Sequence, residues 1–237
     1  MSYGKLYMIP SPIGEGNPYD VLPEANRAVM SSLDYFIAEN LRTVRRFLSA
    51  AGIGRPISEL QFAECSEHTP ASEIEKLIGP LLEGHDTGLI SEAGLPGVAD
   101  PGAEVVALCH KKGIKVVPLV GPSSIMMALM ASGQNGQSFA FNGYLPIKPA
   151  ERMKAIKRFE HRAQSEHQAQ IFIEAPYRNA KLFDDFLSCC SGGTVLTVAS
   201  DITNESEFIY STTVGEWKSR PKPDINKRPA IFILGCR

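Results

Sequence analysis

The chain has 237 residues and a formal net charge of −2, from 24 lysines and arginines against 26 aspartates and glutamates. This balance excludes a uniformly basic coat for nucleic acid, although it leaves room for a local basic patch. Hydrophobic residues make up 43% of the chain, as in globular proteins, and the length suffices for a core without disulfide or metal support.

The composition also bears on compartment and metal. Five cysteines form no C-x-x-C pair, and the five histidines show no ligand spacing, so no metal site is predicted. No signal-peptide pattern and no apolar run of roughly 20 residues is present, so no membrane partner is expected. We therefore expect a cytoplasmic protein with reduced thiols.

The first half alternates short apolar runs with helical patterns, which predicts an α/β fold with parallel strands. Strands are predicted at 6–9, 35–38, 87–91 and 115–119, and helices at 22–32, 41–51, 71–83, 103–112 and 123–131. Pro80, inside one helical pattern, predicts a kink or an early end.

The second half is similar but favours more antiparallel pairing. Helices are predicted at 149–163 and 177–188, and strands at 170–173, 194–199, 207–213 and 230–234. The Gly121-Pro122 turn predicts a nearby domain boundary. The expected domains are therefore residues 1–119 and 120–237, both of the α/β class.

Three loops rich in glycine and proline follow directly on buried strands, at 10–14, 92–102 and 121–124. Ligands of open α/β sheets sit beyond the carboxyl ends of strands, where glycine lets the backbone come close. One such loop could be a tight turn, but three together predict a ligand crevice. The loops offer backbone groups and small hydroxyls rather than lysine or arginine, which favours a weakly charged ligand over a polyphosphate.

The same segments carry a family resemblance. The run 6–14 resembles the opening of the tetrapyrrole methylase superfamily, and most closely its ribosomal RNA small-subunit methyltransferase I branch, which methylates a ribose 2′-hydroxyl in 16S RNA. Further segments match in the family's order, at 37–42, 89–96, 100–102, 117–123, 143–146 and 173–178. The resemblance covers nearly the whole chain, and it implies the family's core without its C-terminal helical extension.

The resemblance implies two α/β domains with S-adenosylmethionine in the cleft between them, and a homodimer. It also implies a set of residues that bind the donor: Pro10, Gly94, Leu95, Pro96, Val98, Ser123, Ser124, Glu174, Ala175, Pro229 and Ala230.

Two motifs depart from the branch's usual pattern. Glu39-Asn40-Leu41-Arg42 stands where Glu-Asp-Thr-Arg is usual, and Ser91-Glu92-Ala93-Gly94 stands where Ser-Asp-Ala-Gly is usual. Both departures change side chains near the expected acceptor side. The donor site is less affected, because much of it is backbone.

Methyl transfer from a sulfonium needs alignment and a dry site, and an alcohol acceptor gains from a base or a cation. The catalytic candidates are therefore Glu39, Arg42, Glu92 and Asp100. Glu39 and Asp100 could instead cap a helix or pair with Arg42.

Contact with RNA would need positive charge and stacking groups. Basic residues cluster in 149–163 and in 218–228, and Tyr144 and Tyr177 are candidates for stacking on bases. Each feature has a structural alternative: a solvated helix face, a flexible loop, or core and cofactor contacts for the tyrosines.

These observations predict an S-adenosylmethionine-dependent methyltransferase that acts on ribosomal RNA, with RNA or a ribosomal subunit as its partner. Two alternatives stay open. One is methylation of a small molecule such as a tetrapyrrole precursor, and the other is a non-catalytic binding module that keeps the fold.

Overall fold

A computed structural model describes residues 2–66 and 69–236 and separates the chain into two compact units, Met1–Ser123 and Ser124–Arg237. The division falls close to the boundary expected after residue 119. His68, one of the histidines weighed as a ligand, lies outside the described residues.

The first unit is built on a five-stranded sheet. Its strands are β1 Leu6–Ile9, β2 Tyr35–Ala38, β3 Gln61–Glu64, β4 Thr87–Ile90 and β5 Val116–Pro118, and its helices are α1 Ala25–Ser32, α2 Leu41–Ala50, α3 Ala71–Leu77, α4 Gly79–Leu82 and α5 Ala103–Lys112. The strand order is β3-β2-β4-β1-β5, and every pairing is parallel. The parallel α/β prediction for this half is confirmed.

Local chemistry explains where these helices begin and end. Asn40 Oδ1 accepts from the amides of Arg42 at 3.0 Å and Thr43 at 3.2 Å, so it caps α2. Gly113 ends α5 in the left-handed conformation with φ +74°. The break expected from Pro80 is confirmed, because α3 ends at Leu77 and Pro80 lies in the first turn of α4.

The second unit holds a mixed sheet. Its strands are β6 Phe139–Tyr144, β7 Ala169–Ile173, β8 Val195–Ser200, β9 Phe208–Thr213 and β10 Ala230–Gly235, and its helices are α6 Ser124–Ser132, α7 Pro149–Ser165, α8 Asn179–Cys189 and α9 Val214–Trp217. In the order β6-β7-β10-β8-β9, only β6 and β7 pair in parallel. The prediction of more antiparallel pairing in this half is confirmed.

Two edge strands, β3 and β6, were not predicted. β3 has only two apolar residues among its four. β6 contains Gly143 at φ +63°, and its pairing with β7 shifts between Phe141 and Tyr144. A short edge strand and a strand with an irregular end both lack the regular alternation that marks a strand in sequence.

Each unit has its own apolar core. In the second unit, Phe172, Phe186 and Phe232 pack as a chain of ring contacts between the helices and the sheet. The indole of Trp217 is buried beside them and donates to the Leu196 carbonyl at 2.8 Å. Within the described residues, no helix combines the length and the apolar character needed to cross a bilayer.

Candidate functional site

In the first unit, the loops after β1 and β4 are joined by backbone hydrogen bonds. The Ser11 amide donates to the Gly94 carbonyl at 2.9 Å, and the Gly94 amide donates to the Ser11 carbonyl at 3.1 Å. The Ser11 hydroxyl, which is buried, also donates to the Ser91 carbonyl at 3.2 Å. The two loops therefore form one continuous backbone surface that includes Pro10 and Gly94.

The loop after β5 packs against the same surface. A Cβ at Gly121 would lie 2.1 Å from the Pro10 ring, so only glycine allows this approach. A Cβ at Gly94 would lie 3.6 Å from the Pro122 carbonyl oxygen. Asn26 fixes this loop by donating to the Val120 carbonyl at 2.9 Å. All three predicted loops thus meet where β4, β1 and β5 end side by side.

The loop after β4 turns sharply around its glycines. Gly94 and Gly97 have φ values of +76° and +77°, which are unfavourable for any residue with a Cβ. Within the loop, Pro96 is buried, Leu95 is half-buried and Val98 is exposed. Ser123 closes the first unit, and Ser124 opens α6 of the second.

Two of the predicted catalytic carboxylates follow neighbouring strands and are linked. Glu39 follows β2, and its Oε2 accepts from the Glu92 amide, after β4, at 3.0 Å. Glu92 Oε1 in turn accepts from the Thr43 hydroxyl at 3.2 Å. The side chain at 92 is therefore held by the same α2 turn that Asn40 caps. Arg42 lies in that turn and is exposed.

Asp100 is the third predicted catalytic carboxylate, and it interacts with the charges of the other two. Its partial burial raises the pKa of its carboxyl to about 6, and the negative charges of Glu39 and Glu92 act in the same direction, while Ser91 opposes them. The capping alternatives for Glu39 and Asp100 are wrong, because α2 is capped by Asn40, and Gly102 occupies the N-cap position before α5, which has no side-chain cap. In the part of the chain that the structure describes, no cluster of three or more His, Cys, Asp or Glu residues is arranged to hold a metal ion.

In the second unit, four of the predicted donor residues lie together where β7 ends and β10 begins. Ile173 at the end of β7 pairs with Ile231 near the start of β10, which brings Glu174 and Ala175 beside Pro229 and Ala230. The Asp201 amide donates to the Pro229 carbonyl at 3.0 Å and anchors this region from the neighbouring β8 end.

Further hydrogen bonds hold these strand ends. Glu174 Oε1 accepts from the Ala175 amide at 2.7 Å and from the Arg178 guanidinium at 2.5 and 3.0 Å. The Asn179 amide nitrogen donates to the Arg228 carbonyl at 2.6 Å. Asn179 carries no sequence pattern for this task, because its bond to Arg228 joins segments that only the fold brings together, whereas Arg178 lies four residues from Glu174.

The two basic segments differ in the structure. In 218–228, Lys222 pairs with Asp184 at 2.6 Å, and Arg228 pairs with Asp201 and Asp224. This favours the structural alternative for that segment. In α7, Arg152 is buried against Asp185, whereas Lys154, Lys157 and Arg158 are exposed.

Curated relatives match almost the whole chain. The protein named ribosomal RNA small subunit methyltransferase I from Escherichia coli O157:H7 is 32% identical to this chain, and the match covers 98% of this chain and 77% of that protein. The protein of that name from Pseudomonas aeruginosa is 32% identical, covering 99% and 79%. No family model matches the chain.

Solved structures share the fold. The methyltransferase CobJ superposes with a TM-score of 0.64 at 17% identity, covering 98% of this chain and 94% of its own. Cobalt precorrin-4 methyltransferase CbiF superposes with a TM-score of 0.60 at 15% identity, also covering 98% and 94%. Both confirm the expected tetrapyrrole methylase fold. Since the identity to the curated relatives extends over both units, this chain belongs to the ribosomal RNA small subunit methyltransferase I family.

Proposed function

We propose that this chain transfers a methyl group from S-adenosylmethionine to a ribose 2′-hydroxyl of small-subunit ribosomal RNA. The observation that carries the proposal is the meeting of three loops rich in glycine and proline at the carboxyl ends of β4, β1 and β5, in a member of this methyltransferase family. Loops at that edge of a parallel sheet are where α/β proteins bind their ligands.

The charge of the site suits the donor. The three loops contain no lysine or arginine, and Glu39, Glu92 and Asp100 lie at or beside them. A sulfonium is a cation, so acidic surroundings stabilise it, whereas a polyphosphate would need cations that these loops lack. In the first unit, we assign donor contacts to Pro10, Gly94, Leu95, Pro96, Val98 and Ser123.

In the second unit, we assign donor contacts to Ser124, Glu174, Ala175, Pro229 and Ala230. Glu174 Oε1 already accepts three hydrogen bonds, two of them from Arg178. Its main role is therefore to shape the end of β7, and the adjoining backbone groups are the ones available to a ligand.

The chain's own residues would perform the remaining tasks. S-adenosylmethionine supplies an activated methyl group on sulfur, and its neutral leaving group needs no general acid. Asp100 is suited to accept the proton of the acceptor hydroxyl, since its raised pKa of about 6 keeps it basic and still ionised at pH 7. Glu39 and Glu92 help to set that pKa, and Arg42 is the cation that we assign to the acceptor side.

Transfer of tritium from labelled S-adenosylmethionine tests the acceptor. Purified protein is incubated separately with small ribosomal subunits, total RNA and uroporphyrinogen. We expect label in the small-subunit RNA. Label in uroporphyrinogen alone would support the small-molecule alternative, and the absence of label from every acceptor would support a non-catalytic module.

We further propose that the chain acts as a cytoplasmic homodimer. Met126 and Met130, one turn apart on α6, are both exposed in the single chain and form an apolar stripe that a second copy could cover. The cytoplasm is proposed because the relatives' names specify a ribosomal RNA. Light scattering on wild type and on a Met130→Glu variant tests the dimer, and fractionation of cells tests the compartment.

A further inference from the structure

Three large apolar side chains are exposed at one edge of the second unit. Tyr144 is 61% exposed, Ile147 is 71% exposed and Tyr177 is 70% exposed. Tyr144 ends β6 opposite Ile173, and Tyr177 lies in the turn that directly follows β7. Because β6 and β7 are parallel neighbours, these side chains share one edge, which we call the aromatic edge.

The loop that follows Tyr144 and contains Ile147 is fixed by hydrogen bonds from a buried ion pair. Arg152 donates to the Ile147 carbonyl at 2.6 Å and to the Pro146 carbonyl at 3.2 Å. The same guanidinium is paired with Asp185 at 2.7 Å, and both side chains are buried. An exposed apolar loop that is fixed by a buried charge pair is pre-organised, which lowers the entropy cost of binding a partner.

The turn that presents Tyr177 is fixed as well. The Lys227 amide donates to the Pro176 carbonyl at 3.0 Å. The Arg178 guanidinium is bound to Glu174, and its central carbon lies 5.7 Å from the centre of the Tyr177 ring. Both exposed tyrosines are therefore on anchored backbone, which does not fit the core alternative considered from the sequence.

Positive charge adjoins the aromatic edge. α7 starts at Pro149, two residues after Ile147. Exposed cations outnumber exposed carboxylates along 148–166, with Lys148, Lys154, Lys157, Arg158 and Arg162 against Glu151 and Glu166. Exposed aromatic rings beside a cationic helix suit a polyanion with flat, stacking groups better than they suit an uncharged protein surface.

We propose that the aromatic edge stacks unpaired bases of the RNA substrate, while the exposed cations of α7 contact the neighbouring phosphates. The inference rests on the proposed function, because it assigns a binding surface to that RNA. Ring stacking on Tyr144 and Tyr177 needs no particular base, so the edge would provide affinity for unpaired RNA rather than sequence recognition.

Binding of a fluorescein-labelled, unpaired RNA of about 12 nucleotides tests the edge without requiring turnover. We expect Tyr144→Ala and Tyr177→Ala each to weaken binding about tenfold by fluorescence anisotropy. Tyr144→Phe and Tyr177→Phe should bind like wild type, because the ring is kept. Tyr3→Ala is the matched control, since Tyr3 is 49% exposed but lies before β1 in the other unit. Lys154→Gln with Lys157→Gln should flatten the salt dependence of binding.

Two parallel measurements separate the possible results. Titration with S-adenosylhomocysteine should give wild-type affinity in every tyrosine variant, and the alanine variants should methylate small ribosomal subunits with a raised KM. Weaker RNA binding with unchanged donor binding supports the edge, even if wild type labels no RNA and the proposed function fails.

Three results would overturn the inference. The alanine variants could bind RNA as tightly as wild type, whether or not methylation is seen. Donor affinity could fall instead, which would assign the edge to the donor. The variants could also become monomeric with RNA binding unchanged, which would assign the edge to a second copy.

Discussion

Replacing Asp100 with asparagine should stabilise the protein while removing its activity. The folded protein holds this carboxyl partly buried and close to Glu39 and Glu92, which raises its pKa to about 6. The ionised form is therefore disfavoured in the fold relative to the unfolded chain. Asparagine keeps the size of the side chain and removes the charge, so it relieves this cost.

The magnitude follows from the pKa. A rise from 3.8 to about 6 corresponds to about 3 kcal/mol, which solvent screening at this partly exposed site reduces to about 1 kcal/mol. For a chain of this length, that is a rise of roughly 2–4 °C in Tm. The loss of a general base should lower kcat by about 10²–10⁴-fold.

Thermal unfolding of Asp100→Asn and wild type across pH 4 to 8 is the assay. The stability difference should be full above pH 6. It should shrink as the pH falls through 6 and vanish near 4, because folded wild type then takes up the proton. Asp20→Asn, at an exposed carboxylate, is the control for lost charge. Equal Tm values at pH 7, a difference independent of pH, or wild-type turnover would refute the reasoning.

Three further substitutions probe other parts of the account. Gly121→Ala should lower the free energy of unfolding by about 1–3 kcal/mol and weaken donor binding, because its Cβ would lie 2.1 Å from a proline of the loop after β1. Gly136→Ala is the control, because the space around it is open, and calorimetry should give it the stability and the donor affinity of wild type. Arg152→Met should cost about 2–3 kcal/mol in denaturant unfolding, because the buried carboxylate of Asp185 would lose its buried partner and keep its ion pair with the exposed Lys181. Arg162→Met, at an exposed pair, should cost under about 0.5 kcal/mol in the same measurement. Asn40→Ala should lower the free energy of unfolding by about 1 kcal/mol, because it removes the α2 cap. Asn40→Asp keeps a capping oxygen, so it should leave Tm and turnover close to wild type. If wild type showed no turnover and Asn40→Asp did, the result would favour the non-catalytic alternative.

The site's backbone could be predicted from sequence because its signals are local. Glycine and proline directly after buried strands predicted all three loops, and parallel pairing placed their ends at one edge. The strand order could not be predicted. Nothing local to β1 shows that it lies between β4 and β5, yet that position is what brings Gly121 against Pro10.

The departures from the family pattern acquire a physical meaning in the structure. Asparagine at position 40 caps α2 as an aspartate would, because both offer a side-chain oxygen to the first-turn amides. The longer side chain of Glu92 still reaches Thr43 on that helix. The cap itself could have been predicted, since Asn40 directly precedes the helical pattern of 41–51.

Arg152 shows where local patterns fail. In sequence it belongs to a run of basic residues, and a solvated or RNA-binding role is the natural interpretation. Its partner Asp185 is 33 residues away on another helix, so only the fold shows that this arginine is buried and supports the loop at 146–147. Tyr144 and Tyr177 were ambiguous for the same reason, because exposure is a property of the packed unit.

The most direct test of the central claim is nucleoside analysis after methyl transfer. Small ribosomal subunits are incubated with the purified chain and tritiated S-adenosylmethionine, and their RNA is digested to nucleosides and separated. The account predicts label in a 2′-O-methylated nucleoside with wild type, and its loss with Asp100→Asn. Label on a base, label outside the RNA, or equal labelling by the variant would contradict it.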